Sequence, residues 1–265
     1  MLKSGVGFSG KNMQLNFKQL GHGEPLVLLH GLFGSADNWL GVAPSLAEKF
    51  HIFIPDLRNH GSSPHSLEMD YSLMAADVEE FFCRHNLQNA SVLGHSMGGK
   101  VAMQFALSFP ARVKKLIVVD MAPRAYAPAH EHIFAALLAL DLIKFQTRSQ
   151  IEAALAAEIP SLNLRRFLLK NLGRNGDGAF QWKMNLRGVA ENYPRLGEAL
   201  ASLTPFTHPT QFIRGGQSDY IRAADEAEIL RLFPKAIIET IPTANHWVHA
   251  EAPAEFLRLV LGGDK

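Results

Sequence analysis

A serine hydroxyl becomes a useful nucleophile only when a base takes its proton. The segment Gly94-His95-Ser96-Met97-Gly98-Gly99 has the form that makes such a serine available. In a G-x-S-x-G turn between a strand and a helix, the serine is held in a strained backbone conformation with its hydroxyl above the sheet edge. The flanking glycines let neighbouring backbone pass where a Cβ would collide. Ser91-Val92-Leu93 before the turn reads as a strand, and Val101, Ala102 and Phe105 after it as a helix. The chemistry this implies is nucleophilic acyl transfer. That reaction builds negative charge on a carbonyl oxygen, and backbone N–H groups can stabilise it. One donor is expected from Met97, after the nucleophile. The second is expected from His30-Gly31-Leu32-Phe33-Gly34, at Leu32 with Phe33 as the alternative.

Twelve histidines compete for the role of base, so position must decide. In enzymes with this turn the chain order is serine, acid, histidine, and only His246 and His249 come late enough. His246 follows the last expected strand, in Pro242-Thr243-Ala244-Asn245-His246-Trp247, and is the expected base. His249 opens a helix and is assigned a structural role. The two lack the further grouped ligands that a zinc site needs. Two aspartates at strand ends are candidates to orient the imidazole: Asp120, after Val113 to Val119, and Asp219, in Gly215-Gly216-Gln217-Ser218-Asp219-Tyr220. Spacing alone favours Asp219. No metal or organic cofactor is required by such a mechanism.

These groups need a sheet edge to hold them. Pro25 to His30 is a continuous apolar run, as in a strand buried on both faces. Short strands are also expected at Met13 to Leu20 (antiparallel), Ile52 to Pro55, Ala90 to Gly94, Val113 to Val119, Thr210 to Arg214 and Ala236 to Ile241. Helices are expected at Ser72 to His85, with Ser72 as N-cap and Asp77, Glu79 and Glu80 on its polar side, at Gly99 to Ser108, between the last two strands and after Pro253. This alternation implies an α/β fold with a mostly parallel central sheet flanked by helices. It breaks at Ala122-Pro123. From there to about Pro205 the pattern is helical (Phe134 to Phe145, Ile151 to Ile159, Leu162 to Leu172), with a short extended stretch at Phe180 to Leu186. The expected organisation is a core of residues 1–121 and 206–265 with a helical cap, or lid, at 122–205. Phe134, Leu137, Leu138, Phe145, Phe167 and Trp182 suggest a pocket for a short to medium acyl chain, although each residue alone reads more simply as core.

Composition narrows the partners. Of 265 residues, 47% are hydrophobic and 19% charged, enough apolar material for a buried core. Lys and Arg total 26 against 25 Asp and Glu, so no net field favours nucleic acid or an anionic membrane. A small-molecule substrate is the expected partner. The single cysteine, Cys83, excludes an intrachain disulfide and reads as a small buried hydrophobe. Residues 1–11 lack the apolar run of a signal peptide, and no run approaches the roughly 20 residues of a membrane span. A cytoplasmic protein is expected.

Together with Pro55-Asp56-Leu57-Arg58-Asn59-His60-Gly61-Ser62-Ser63 and His246-Trp247-Val248-His249-Ala250-Glu251, the serine and His30-Gly31 motifs resemble the α/β-hydrolase superfamily, from about residue 12 to the C-terminus. More narrowly they resemble small bacterial esterases and thioesterases with mitochondrial relatives. That resemblance implies a triad acid after the sixth strand, matching Asp120 rather than Asp219, and a supporting serine matching Ser218. It gives the Asp56 to Gly61 segment a structural task, with Arg58 bonding nearby carbonyls. Asn245 departs from the glycine usual before the histidine, and Asn tolerates left-handed backbone. The implied activity is hydrolysis of carboxylic esters or thioesters through an acyl-enzyme. Carbon–carbon bond hydrolysis and acyl transfer on the same triad are the neighbouring alternatives, and a non-catalytic ligand-binding module is the alternative of a different class.

Overall fold

The computed structural model describes residues 13–262. The expectation about residues 1–11 lies outside that range. The strands are β1 (Phe17–Leu20), β2 (Glu24–Leu29), β3 (Phe50–Pro55), β4 (Ala90–His95), β5 (Val113–Val119), β6 (Leu172–Arg174), β7 (Phe180–Trp182), β8 (Thr210–Gly215) and β9 (Ala236–Ile241). The helices are α1 (Ala43–Leu46), α2 (Tyr71–Arg84), α3 (Met97–Ser108), α4 (Glu131–Leu138), α5 (Arg148–Ala154), α6 (Leu162–Leu168), α7 (Leu186–Leu196), α8 (Glu226–Leu232), α9 (Val248–Glu251) and α10 (Pro253–Leu261).

Seven strands form one sheet in the order β1-β3-β2-β4-β5-β8-β9. Only the β1–β3 pair is antiparallel. The continuous apolar run in β2 serves two cores, because successive side chains point to opposite faces. Val27 and Leu29 join the core beneath α2, α3 and α8. Leu26 and Leu28 join the other, beneath α1 and α10. β6 and β7 pair separately as a small hairpin between α6 and α7.

Several local expectations are corrected. Asp70, not Ser72, caps α2: its side chain accepts the Leu73 N–H. Phe134 to Phe145 is not one helix, because α4 ends at Leu138 and a separate 3₁₀ turn covers Leu142–Lys144. Helix α7 falls in the stretch expected to be helical but is not one of the three helices named there. Gly188 and Pro194 interrupt its pattern, yet Leu186, Val189 and Leu196 form a buried stripe. Cys83 is exposed rather than buried. It lies one turn beyond Glu79, and the Arg112 guanidinium reaches both side chains.

Asp77 also departs from its expected place on the polar side of α2. It is buried and pairs through both oxygens with the Arg58 guanidinium, at 2.5 and 2.6 Å. Arg58 donates as well to the Glu68 and Leu73 carbonyls. The chain before α2 is therefore fastened to the helix by one buried charge pair.

Residues 122–205 carry α4 to α7 and the β6–β7 hairpin. Their two ends are tied together: Tyr126 N–H donates to the Gly197 carbonyl, and Leu200 N–H to that of Pro123. Tyr71 of α2 donates its hydroxyl to Leu196 O at 2.7 Å. Lys100 of α3 is fully buried, donates to the Glu198 carbonyl and lies against the rings of Tyr71 and Tyr126. Burial pulls its ammonium down to about 7.

Removing one partner of a buried ion pair strands the other charge, typically costing about 3–5 kcal/mol. Asp77→Ala is expected to lower the urea unfolding free energy by that order. A loss of under about 1 kcal/mol would show that Arg58 finds another partner or water.

Candidate active site

The register of the central strands brings the candidate residues to one edge. β4 and β5 pair in parallel up to His95 and Val119, and β5 pairs with β8 up to Val119 and Ile213. The ladder runs one residue further: Ser96 N–H donates to Val119 O and Asp120 N–H to Ile213 O. Both residues turn into left-handed backbone at that point, with φ of 54° at Ser96 and 49° at Asp120. For residues with side chains this conformation is strained. It is held at Ser96 by packing that admits only glycine nearby. A Cβ on Gly94 would stand 2.1 Å from the Gly98 carbonyl oxygen, and one on Gly98 would stand 2.4 Å from that of Leu29.

Ser96 Oγ lies 2.9 Å from His246 Nε2, and His246 Nδ1 lies 2.8 Å from Asp120 Oδ2. The Asp120 side chain is fully buried and its oxygens accept three hydrogen bonds: from His246, the Ser218 hydroxyl and the Gly215 N–H. The Asp219 side chain makes no hydrogen bond to His246 among the described residues. It is exposed, and the Asp219 carbonyl accepts from Arg124 and Arg222.

The His246 loop is braced from several directions. Tyr220 stacks on the imidazole, with centroids 3.7 Å apart and planes 16° off parallel. His95 donates from Nε2 to the His246 carbonyl at 2.9 Å. Asn245 does not adopt left-handed backbone; its side-chain oxygen accepts the His246 N–H instead, at 2.9 Å. The expected reason for tolerating Asn there is thus replaced by a hydrogen bond that glycine cannot make.

Ser96 opens into a cavity of about 560 Å³. Leu32 and Met97 both line it, and neither backbone N–H has a partner among the described residues. The loop bearing Leu32 passes so close that a Cβ on Gly31 would lie 3.2 Å from Ser96 Cβ. Phe33 continues it in left-handed backbone, and its carbonyl accepts from Asn171 Nδ2 at 2.6 Å. Of the six residues in 122–205 expected to suggest a pocket, only Phe167 borders the cavity, facing Trp247 with ring centroids 5.7 Å apart. Phe134 and Leu137 are core, and Leu138 is exposed. Residues 122–205 instead contribute Ile133, Leu164, Leu196, His130 and Tyr193 to the wall. Tyr220, His130 and Tyr193 had no local sequence signal, since their partners are distant in the chain.

Among the described residues no group of three or more His, Cys, Asp and Glu side chains is arranged to hold a metal ion. None of the described helices is long and apolar enough to cross a membrane.

A parallel sheet with helices on both faces, and a serine turn at its edge, define the class. The chain belongs to the α/β hydrolase fold family, whose model matches residues 24–253. It is similar to an sn-1-specific diacylglycerol lipase of Mus musculus, 36% identical, with 89% of this chain and 79% of that protein covered. It is also similar to an esterase of Escherichia coli, 36% identical over 89% of this chain and 91% of that one. Among solved structures, a marine microorganism esterase superposes with a TM-score of 0.92 at 41% identity, covering 94% of this chain and 99% of that one.

Several imidazoles, four of them buried and His130 half-buried, are held neutral by desolvation. Burial pulls His249 and His60 down to about 3 and His130 to about 4; it also lowers His30, and lowers His95 far below its usual value. Unfolded, each would titrate near about 6.5. Protons are then taken up on unfolding between the folded and unfolded values, so stability is complete above about pH 6.5 and falls as pH drops toward the folded values. Each fully buried imidazole contributes up to about 1.4 kcal/mol per pH unit in that window. Urea midpoints should fall steadily from pH 6.5 to 4.5, and less steeply in His249→Gln. Equal slopes in the two proteins would show that His249 is already protonated in the fold.

Proposed function

We propose that this chain is a serine esterase that cleaves carboxylic esters or thioesters of short to medium acyl chains through an acyl-enzyme. The observation that carries the reading is the continuous hydrogen-bonded line from Ser96 through His246 to Asp120, with Ser96 and His246 on the wall of a largely apolar cavity. The similarity to proteins named esterase and lipase supports the same class.

In this reading His246 Nε2 takes the Ser96 proton as Oγ attacks the substrate carbonyl. Asp120 holds Nδ1–H, fixing the tautomer and stabilising the imidazolium that forms. Ser218 and the Gly215 N–H keep the carboxylate aimed, and Tyr220 keeps the ring from turning. The Leu32 and Met97 N–H groups receive the oxyanion, and α3 points its positive end toward the same place. His246 then gives its proton to the leaving alcohol or thiol. Water, deprotonated by the same imidazole, attacks the acyl-enzyme and releases the acid and free Ser96. Residues 122–205 act as a cap that excludes bulk water and shapes the acyl site.

With p-nitrophenyl butyrate, Ser96→Ala is expected to lose at least about 10³-fold in kcat while retaining the wild-type unfolding curve. Full activity in a folded Ser96→Ala protein would remove the serine from the mechanism. Asp120→Asn should lose on the order of 10⁴-fold, because the wrong tautomer is then favoured. Asp219→Asn should stay within about threefold of wild type. The reverse ranking would transfer the acid role to Asp219.

A further inference from the structure

One polar pair on the cavity wall is unused by this mechanism. His130, which precedes α4, and Tyr193 of α7 both line the cavity that contains Ser96. The Tyr193 oxygen accepts the N–H groups of Ala129 and His130, at 3.0 and 3.2 Å. It also lies 2.7 Å from His130 Nδ1. A phenol has one proton and two acceptor positions. With both acceptor positions filled by backbone donors, the phenolic proton goes to Nδ1. The neutral imidazole must then carry its own proton on Nε2.

That Nε2–H has no partner among the described residues, and it is not one of the fully buried unpartnered polar atoms. The residue that carries it lines an otherwise largely apolar cavity. The ring of Phe33, in the loop after β2, is 6.1 Å away, centroid to centroid, and His246 lines the same cavity. In the proposed mechanism His246 protonates the departing alcohol, which therefore shares this cavity with His130. Burial and His246 also hold His130 down to about 4, so it remains an uncharged donor through the neutral range.

We infer that His130 is a positioning residue that donates a hydrogen bond from Nε2 to an acceptor oxygen on the alcohol portion of the substrate, selecting esters of oxygen-bearing alcohols such as glycols and polyols over esters of plain alkanols. This rests on the esterase reading above and adds a substrate class to it. Tyr193 sets the tautomer and so sets the direction of the bond. A site built around such a donor discriminates against an isosteric substrate lacking the acceptor, because the donor is then left unpaired.

The probes are 2-methoxyethyl butyrate and n-pentyl butyrate's shorter homologue n-butyl butyrate, which match in length and differ by one ether oxygen that can only accept. The readout is the ratio of kcat/KM for the two esters, so a general loss of activity cancels and intrinsic leaving-group reactivity is common to every protein. The wild-type ratio should exceed that of His130→Phe by about five- to tenfold, with the difference mainly in KM. Tyr193→Phe should lower the ratio as well. In ¹⁵N spectra of the wild type, the His130 signal, identified by its loss in His130→Phe, should report an unprotonated Nδ1 and a protonated Nε2. Equal ratios in wild type and His130→Phe, or a protonated Nδ1, would overturn the inference while leaving the esterase reading intact. Hydrolysis of neither butyrate by a folded wild type would instead overturn the esterase reading and this inference with it.

Discussion

Two backbone hydrogen bonds set the geometry on which the site depends. Ser96 N–H to Val119 O and Asp120 N–H to Ile213 O continue the parallel ladder one residue past the ends of β4 and β5. Each holds a residue in left-handed backbone at the moment the chain leaves the sheet. A side chain there costs on the order of 1–3 kcal/mol and persists only when its surroundings determine it fully. Here they do, because the strands are buried on both faces and the glycine contacts leave no room for a relaxed turn. Stability in two apolar cores is thus converted into the placement of one hydroxyl and one carboxyl.

The rest of the site is arranged around that placement. His246 does not sit on a strand; it hangs in a loop after β9, and nothing in the backbone ladder fixes its ring. The protein fixes it by contacts of different kinds: a carboxyl oxygen on Nδ1, an aromatic face against the ring, and hydrogen bonds to the N–H and carbonyl of its own backbone. A loop held at so many points behaves as part of the rigid frame, which is what the proposed proton transfer over a hydrogen-bond distance demands.

The parts of the fold that were legible in the sequence are those whose signals are local. β5 and β9 begin and end where their apolar runs do, and the Gly94 to Gly99 turn is readable because its glycines answer to contacts made within a few residues and the adjoining strand. What was not legible depends on partners far along the chain. Asp77 looks like one more acidic residue on the polar side of a helix until Arg58 is seen 19 residues away. Cys83 sits beside that helix's apolar stripe and falls just outside it. Helix α7 is hidden by Gly188 and Pro194, although its buried stripe is intact. Asp120 and Asp219 follow neighbouring strands at the same edge, so spacing cannot separate them; the difference lies in the left-handed turn and the donors that gather at Asp120. The Tyr220 stack and the Tyr193–His130 pair, the latter 63 residues apart, leave no trace in any short window.

The hydrogen bond from Asn171 to the Phe33 carbonyl joins residues 122–205 to the loop that carries the Leu32 N–H. Residues 122–205 are therefore fastened to the loop beside Ser96 as well as to the core. Paring the chain down to its sheet and flanking helices would remove a strut from beneath the loop that carries the Leu32 N–H, and a minimal version of this molecule would be a poorer scaffold as well as a more open one. The same bond limits modularity: a foreign segment grafted in place of residues 122–205 must bring an amide to the same spot, or the loop it replaces support for is left to find its own shape.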